Sequence, residues 1–221
     1  MALRESKGNM YPFVTHTWNP IKGKCPHGCI YCYMRRFPQK ELRLVEKELR
    51  TDLGSGRFIF VGSSTDMWAE AVPLEWIAKI IRMCDVQDNT YLFQSKNPDR
   101  FHKVYLPESF KHVFATTIET NRRYSCMGKA PPVEDRARAM ERLWFHRRMV
   151  TIEPILDFDL PEFVALIRTV HPEWVNIGAD SKGHGLSEPR AEKIWELIEQ
   201  LRGFTHIKLK SNLRRITGVE R

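Results

Sequence analysis

The feature that most constrains this chain is the regular alternation of short apolar runs with longer segments of helical spacing. Compact aromatic and β-branched runs at residues 13–18, 57–62, 90–94, 113–118, 149–152, 174–177 and 206–209 are expected to be strands. Between them, 73–84 opens with a proline in its first turn, and 132–145, 160–170 and 188–201 also carry apolar residues at helical spacing. A shorter helical segment is expected around 100–105. Leu42, Val45 and Leu49 predict another toward the far end of 30–51, closed by Gly54 and Gly56. Six or seven such repeats imply an α/β fold, a partial (β/α) TIM-type barrel of six or seven parallel strands covered by helices. No Pro/Gly/Ser linker divides the 221 residues. A single domain over 1–221 is expected, with a basic C-terminal segment from about 204.

Polar residues bunch just after the strand ends, in SSTD, SKNP, TTIE, IEP and GAD. In barrels and open α/β sheets that edge is where ligand sites form. The net charge of +8 is uneven. Residues 1–50 hold ten Lys/Arg against four Asp/Glu, and the stretch from Phe204 holds five against one. Basic ends on a nearly neutral middle favour an anionic substrate: DNA, RNA or a nucleotide. No apolar run approaches the roughly 18 residues of a membrane span. The start, MALRESKGNMYPF, lacks the apolar stretch of a secretory signal. A cytoplasmic protein with no membrane partner is expected.

Five cysteines are present, three of them in CPHGCIYC: Cys25, Cys29 and Cys32. An odd count and tight spacing argue against a disulfide framework. Three thiolates in one loop suit a soft metal centre. Zinc, with His16 or His27 as fourth ligand, is one reading. A ferredoxin-type carrier is not, because neither spacing nor count fits. A [4Fe–4S] cube with one iron free of protein thiolate is the other reading. Cys84 and Cys126 stand alone, as buried and inert cysteines usually do.

The C-x3-C-x2-C spacing, with the aromatic Tyr31 before the last cysteine, resembles the signature of the radical S-adenosylmethionine (SAM) superfamily. The resemblance implies that Cys25, Cys29 and Cys32 hold a [4Fe–4S] cluster and that SAM is cleaved to a 5′-deoxyadenosyl radical. It also implies an electron donor such as flavodoxin or ferredoxin. Val61-Gly62-Ser63-Ser64-Thr65-Asp66 stands where members carry a Gly-Gly-Glu-type segment, and is more similar to the spore photoproduct lyase branch. There a cysteine serves as hydrogen donor, where this chain has Ser63 and Ser64. Gly62, Ser63, Ser64, Lys96, Thr116, Thr117, Glu119 and Glu153 are the implied SAM contacts, with Tyr31 beside them. Ser63, Asp66, Glu153 and Asp180 are the candidate catalytic groups, with Lys182 on the substrate side.

TWNP, ATTIET, TIEPIL and NIGADSKG resemble a narrower group, the phage Gp37/Gp68-type family of small radical SAM proteins. The expected function is therefore a radical SAM enzyme, of lyase or transferase type, that repairs or modifies a nucleic acid base or nucleotide. Chemistry on a peptide or small metabolite, and a non-catalytic metal-bearing nucleic-acid-binding protein, are the alternatives. Arg35, Arg36 and the tail SNLRRITGVER are expected to meet phosphates. Trp18, Tyr33, Phe37 and Trp68 are expected to stack on a base.

Overall fold

The computed structural model describes residues 3–38 and 40–218. Gln39 in the early basic stretch and residues 219–221 of the basic tail lie outside the described residues. An eight-stranded sheet runs in the order β1 (Arg4–Glu5), β2 (His16–Trp18), β5 (Phe58–Val61), β6 (Thr90–Ser95), β7 (His112–Thr117), β8 (Arg148–Ile152), β9 (Trp174–Ile177) and β10 (His206–Leu209). β3 (Ile21–Lys22) and β4 (Arg43–Leu44) form a separate two-stranded hairpin. The seven strands from β2 to β10 in the main sheet run parallel, and β1 is antiparallel at its edge. The sheet is open, with β1 and β10 as its ends. The helices are α1 (Leu74–Asp85), α2 (Val133–Glu141), α3 (Leu160–Val170), α4 (Ala191–Arg202) and the short α5 (Arg214–Thr217). This is the expected partial-barrel architecture.

Alternation along each strand divides the side chains between two cores. Ile59, Val61, Tyr91, Phe93, Phe114, Val150 and Ile177 face the helices and pack with Ile77, Met140, Phe163 and Leu197. Their strand neighbours Phe60, Leu92, Val113, Ala115, Met149 and Trp174 form a smaller cluster on the concave face. Tyr11 and Val14 of the N-terminal segment are buried in that second cluster. The concave face is thus apolar low in the sheet, and its upper tier carries Gln94, Thr117, Thr151 and Asn176.

One expected helix is absent. Residues 43–50 form β4 and a 3-10 turn over Glu46–Arg50. The hairpin wins because Gly23 lets two backbones meet: a Cβ there would lie 2.3 Å from the Glu41 carbonyl oxygen. The Val45 N–H then donates to Pro20 O at 2.8 Å. An isolated ten-residue helix has little to set against such pairing. Differences elsewhere are of extent: β2 is confined to three residues, α2 ends at Glu141, and α4 starts at Ala191. Among the described residues no helix is long and apolar enough to cross a membrane.

Trp18 and Trp68, expected to stack on a ligand, are both fully buried in the helix-side core. Trp68 meets Phe93, Phe101 and Phe114 edge-on, with ring centroids 4.8–6.4 Å apart. Such edge-to-face contacts add to the area burial of each ring. Trp68→Ala is expected to destabilise the protein by about 3–5 kcal/mol in urea unfolding, with the m-value unchanged.

Candidate functional site

Each of the seven parallel strands delivers a polar group to the same edge: Asn19, Ser63, Lys96, Glu119, Glu153, Asp180 and Lys210. Gly62 turns the chain after β5 with φ +80°, and a Cβ there would lie 3.2 Å from the Thr65 carbonyl oxygen. Glycine is the residue that accepts both conditions. The following serines are gathered by Asn19, whose Oδ1 accepts from the Ser64 N–H at 2.8 Å and the Ser64 hydroxyl at 2.9 Å. The Asn19 amide donates to Ser63 Oγ at 3.2 Å.

Asp66 ends this run with its carboxylate committed. It receives His27 Nε2 at 2.7 Å, and the Ser95 hydroxyl and Lys96 and Trp68 N–H groups at 2.9 Å each. Burial alone would raise its pKa, but the His27 contact and the two N–H groups outweigh it and hold the carboxyl below its usual range. Asp66 therefore fastens the cysteine loop and β6 to the loop after β5.

Glu119 is wholly buried. Arg136 Nη1 donates to its Oε2 at 2.9 Å, and Lys96 and the Tyr31 hydroxyl both bond its Oε1. Lys96 also donates to the Tyr31 oxygen at 2.6 Å and lies over the Tyr31 ring. Burial raises the Glu119 pKa, but the Lys96 and Arg136 charges prevail and bring it down to about 2. Burial and the Glu119 charge drive the Tyr31 phenol far upward, so it remains protonated. Thr116 points to the opposite side, where its hydroxyl donates to Ser95 O at 2.8 Å. Thr117 faces the concave side and takes the Gln94 amide at 3.2 Å.

Glu153 forms a second centre on the same edge. Lys210 Nζ donates to Oε2 at 2.7 Å, and the Asn9 and Asn212 amides donate to Oε1 at 2.9 Å each. Asp180 closes its own loop, accepting from His184 Nδ1 at 2.7 Å and the Lys182 N–H at 3.1 Å. Burial raises the Asp180 carboxyl, and the His184 and Lys182 donors outweigh it to give a net lowering. Lys210 escaped the sequence reading, and Asn212 entered it only within the basic tail, although KSN follows β10 as SSTD follows β5. Asn9 had no such signal, because it lies in a segment without periodicity.

The cysteines do not converge as their spacing suggested. Among the described residues no group of three or more His, Cys, Asp and Glu side chains is arranged to hold a metal ion. The Cys29 thiol is buried and donates to Met127 O at 3.3 Å. Burial, aided by the Asp66 charge, pushes the Cys25 thiol up to about 12. The loop is instead pinned to a neighbouring turn, by Ile30 N–H to Cys126 O at 2.8 Å and Lys129 N–H to His27 O at 2.7 Å. With no such group among the described residues, a zinc site with His16 or His27 as fourth ligand fails as well. Cys25, Cys29 and Cys32 as cluster ligands are therefore withdrawn. With them go the iron–sulfur and metal-binding assignments, SAM as cofactor, and radical SAM catalysis as a lyase or transferase. The alternatives that keep radical SAM chemistry or a metal go too, and the expected electron donor loses its basis.

No protein-family model matches the chain, and no curated protein matches it. Solved structures do. The chain is similar to spore photoproduct lyase complexed with dinucleoside spore photoproduct, at TM-score 0.63 and 12% identity over 91% of this chain and 78% of that one. A cysteine-to-serine variant of the lyase gives TM-score 0.62 and 13% identity, with the same coverage. A double variant with bound AdoMet and the dinucleoside gives 0.58 and 12%, over 90% and 78%. The likeness is one of fold.

The Glu119 centre makes a prediction. Its depressed pKa means that its contribution is present above about pH 4.5 and is lost as the pH falls toward 2. Glu119→Gln leaves Lys96 and Arg136 without their counter-charge. Its stability deficit in urea is expected to be about 3 kcal/mol at pH 7 and to shrink between pH 5 and pH 2.

Proposed function

We propose that this protein binds single-stranded nucleic acid across the C-terminal edge of its parallel sheet, residues 1–221 acting as one domain. The observation that carries the reading is a basic and aromatic ridge at the rim of that edge. Tyr33–Arg36 form a 3-10 turn, and the Tyr33 hydroxyl donates to Ser63 O at 3.0 Å, so the turn is moored beside the serine loop. Tyr33 is 41% exposed and Phe37 45%, and the Arg36 guanidinium lies 4.7 Å from the centre of the Phe37 ring. Arg35 and Arg36 are both exposed. Aromatic faces alternating with arginines are the elements by which proteins hold unpaired bases and their phosphates.

The positive balance of the first fifty residues supports the same reading. So does the fold likeness to a lyase whose solved structures hold a dinucleoside. The narrower likeness to the phage family, carried by TWNP and NIGADSKG, covers the same strand ends. In this reading Arg35 and Arg36 meet phosphates, Tyr33 and Phe37 stack on bases, and Lys96 adds a charge deeper in the mouth. Gly62, Ser63, Ser64, Thr117, Glu153 and Asp180 line the path of the strand. Asp66, Thr116 and Glu119, whose polar atoms are already bonded within the protein, set the shape of that path.

Fluorescence anisotropy with a labelled single-stranded oligonucleotide tests this at several salt concentrations. The wild type is expected to bind with a steep salt dependence. Arg35→Gln/Arg36→Gln is expected to weaken binding and to flatten the log–log salt slope by roughly 1–1.5. Absence of binding at low salt, or an unchanged slope in the double variant, refutes the proposal.

A further inference from the structure

Resting on that reading, we propose that Glu153 selects bases bearing an exocyclic amino group, and that Asn9 of the same chain holds this subsite in the unbound protein. The case begins with the polarity of the groups around β8 and β9. Asn212 Nδ2 is directed to three acceptors: Glu153 Oε1, Ala179 O at 2.7 Å and Ser181 Oγ at 2.8 Å. That fixes the amide, and leaves Asn212 Oδ1 buried with no hydrogen-bond partner. One tier lower on the concave face, the side chain of Asn176 is 1% exposed, and its Oδ1 also has no partner. Asn176 pairs in register with Thr151, two residues before Glu153. The unfilled capacity of these amides is acceptor capacity, next to a carboxylate that only accepts.

Gly178 keeps the floor bare between them. A Cβ there would stand 2.9 Å from both Glu153 Oε1 and Asn212 Oδ1. Beside the Asn212 amide and the Lys210 ammonium, which already donate to Glu153, the chain brings one further donor pair from its N-terminal segment. The Asn9 amide nitrogen reaches Glu153 Oε1 at 2.9 Å and Ser181 Oγ at 3.3 Å. Its segment has neither helix nor strand between β1 and Tyr11. Tyr11 is buried, and its hydroxyl donates to Gln94 Oε1 at 2.8 Å, so the segment is anchored just beyond Asn9.

A primary amide offers two N–H groups from one planar nitrogen. The amino groups of cytosine and adenine offer the same pair, and can replace Asn9 on the same two acceptors. Thymine and uracil carry a carbonyl at that place, which would face the Glu153 carboxylate with no proton between them. Such a base sets lone pair against lone pair and forfeits the contact that an amino group would make.

The test is fluorescence anisotropy of the full chain with labelled deoxycytidine, deoxyadenosine and thymidine homo-oligomers at one salt concentration. The wild type is expected to bind the two amino-bearing oligomers roughly tenfold more tightly than the thymidine one. Glu153→Gln is expected to erase most of that ratio. Asn9→Ala, in a half-buried segment, is expected to tighten the deoxycytidine oligomer several-fold with little change for thymidine. It gives an answer even if the Glu153 variant fails to fold. Equal wild-type affinity for all three oligomers, or an Asn9→Ala variant that binds deoxycytidine no better, overturns the inference while leaving general nucleic-acid binding intact. Binding of none of them refutes the broader reading, and this inference with it.

Discussion

A fully buried carboxylate at the top of β7 organises this edge of the molecule. An ionised Glu119 out of water is tolerated only with its lone pairs filled and its charge opposed. The three groups that do this come from three distant parts of the chain: Tyr31 from the cysteine loop, Lys96 from the end of β6 and Arg136 from α2. Arg136 extends the brace, donating to Thr117 O at 2.9 Å and Pro131 O at 2.7 Å. Asp66 repeats the device on a smaller scale with His27, Ser95 and two backbone amides. Together the two carboxylates lock the loops after β5, β6 and β7 to the cysteine loop. The edge is therefore a preformed surface, and a ligand need not pay to order it.

The architecture was legible because two periods dominate the sequence. Runs such as TYLFQ and VFATT have the length and β-branched content of buried parallel strands, and 160–170 carries its apolar residues at helical spacing. What failed was the stretch 41–50, where Leu42, Val45 and Leu49 imitate a helix by chance. Backbone pairing with residues 20–23 decides that segment, and nothing local reports it. Trp18 and Trp68 misled for a related reason. Trp18 ends β2, where one step of register separates a ligand platform from the core, and Trp68 lies in the turn after the serine loop, folded back onto the helix side.

The cysteines show the limit of a spacing argument. C-x3-C-x2-C fixes how far apart three thiols lie along the chain, yet a metal site requires them to meet at one point. Here the loop spends its polar groups on a different task. Cys29 turns its thiol to Met127 O, the Ile30 N–H reaches Cys126 O, and Gly128 permits the two loops to touch. A Cβ at Gly128 would lie 2.2 Å from His27 O. The signature Tyr31 is occupied as well, as a brace on Glu119. The polar bunches after the strand ends located the shared edge better than the motif did, since topology places them together whatever they bind.

Across that edge the chemistry divides by depth. At the rim stand arginines and aromatic rings, which recognise any phosphate and any base face. Toward β8 and β9 stand a carboxylate and amide oxygens, which recognise only groups that bring hydrogen. In nucleic-acid recognition the first kind of contact supplies most of the affinity and the second most of the discrimination. The negative charge of Glu153 would repel a phosphate brought close to it, but Lys210 sits on Oε2 at 2.7 Å. That pairing leaves Oε1, the oxygen shared by Asn9 and Asn212, as the one a base would meet in the proposed reading. In the proposed reading, separate sites for backbone and base would let one edge hold a strand firmly while still distinguishing its sequence.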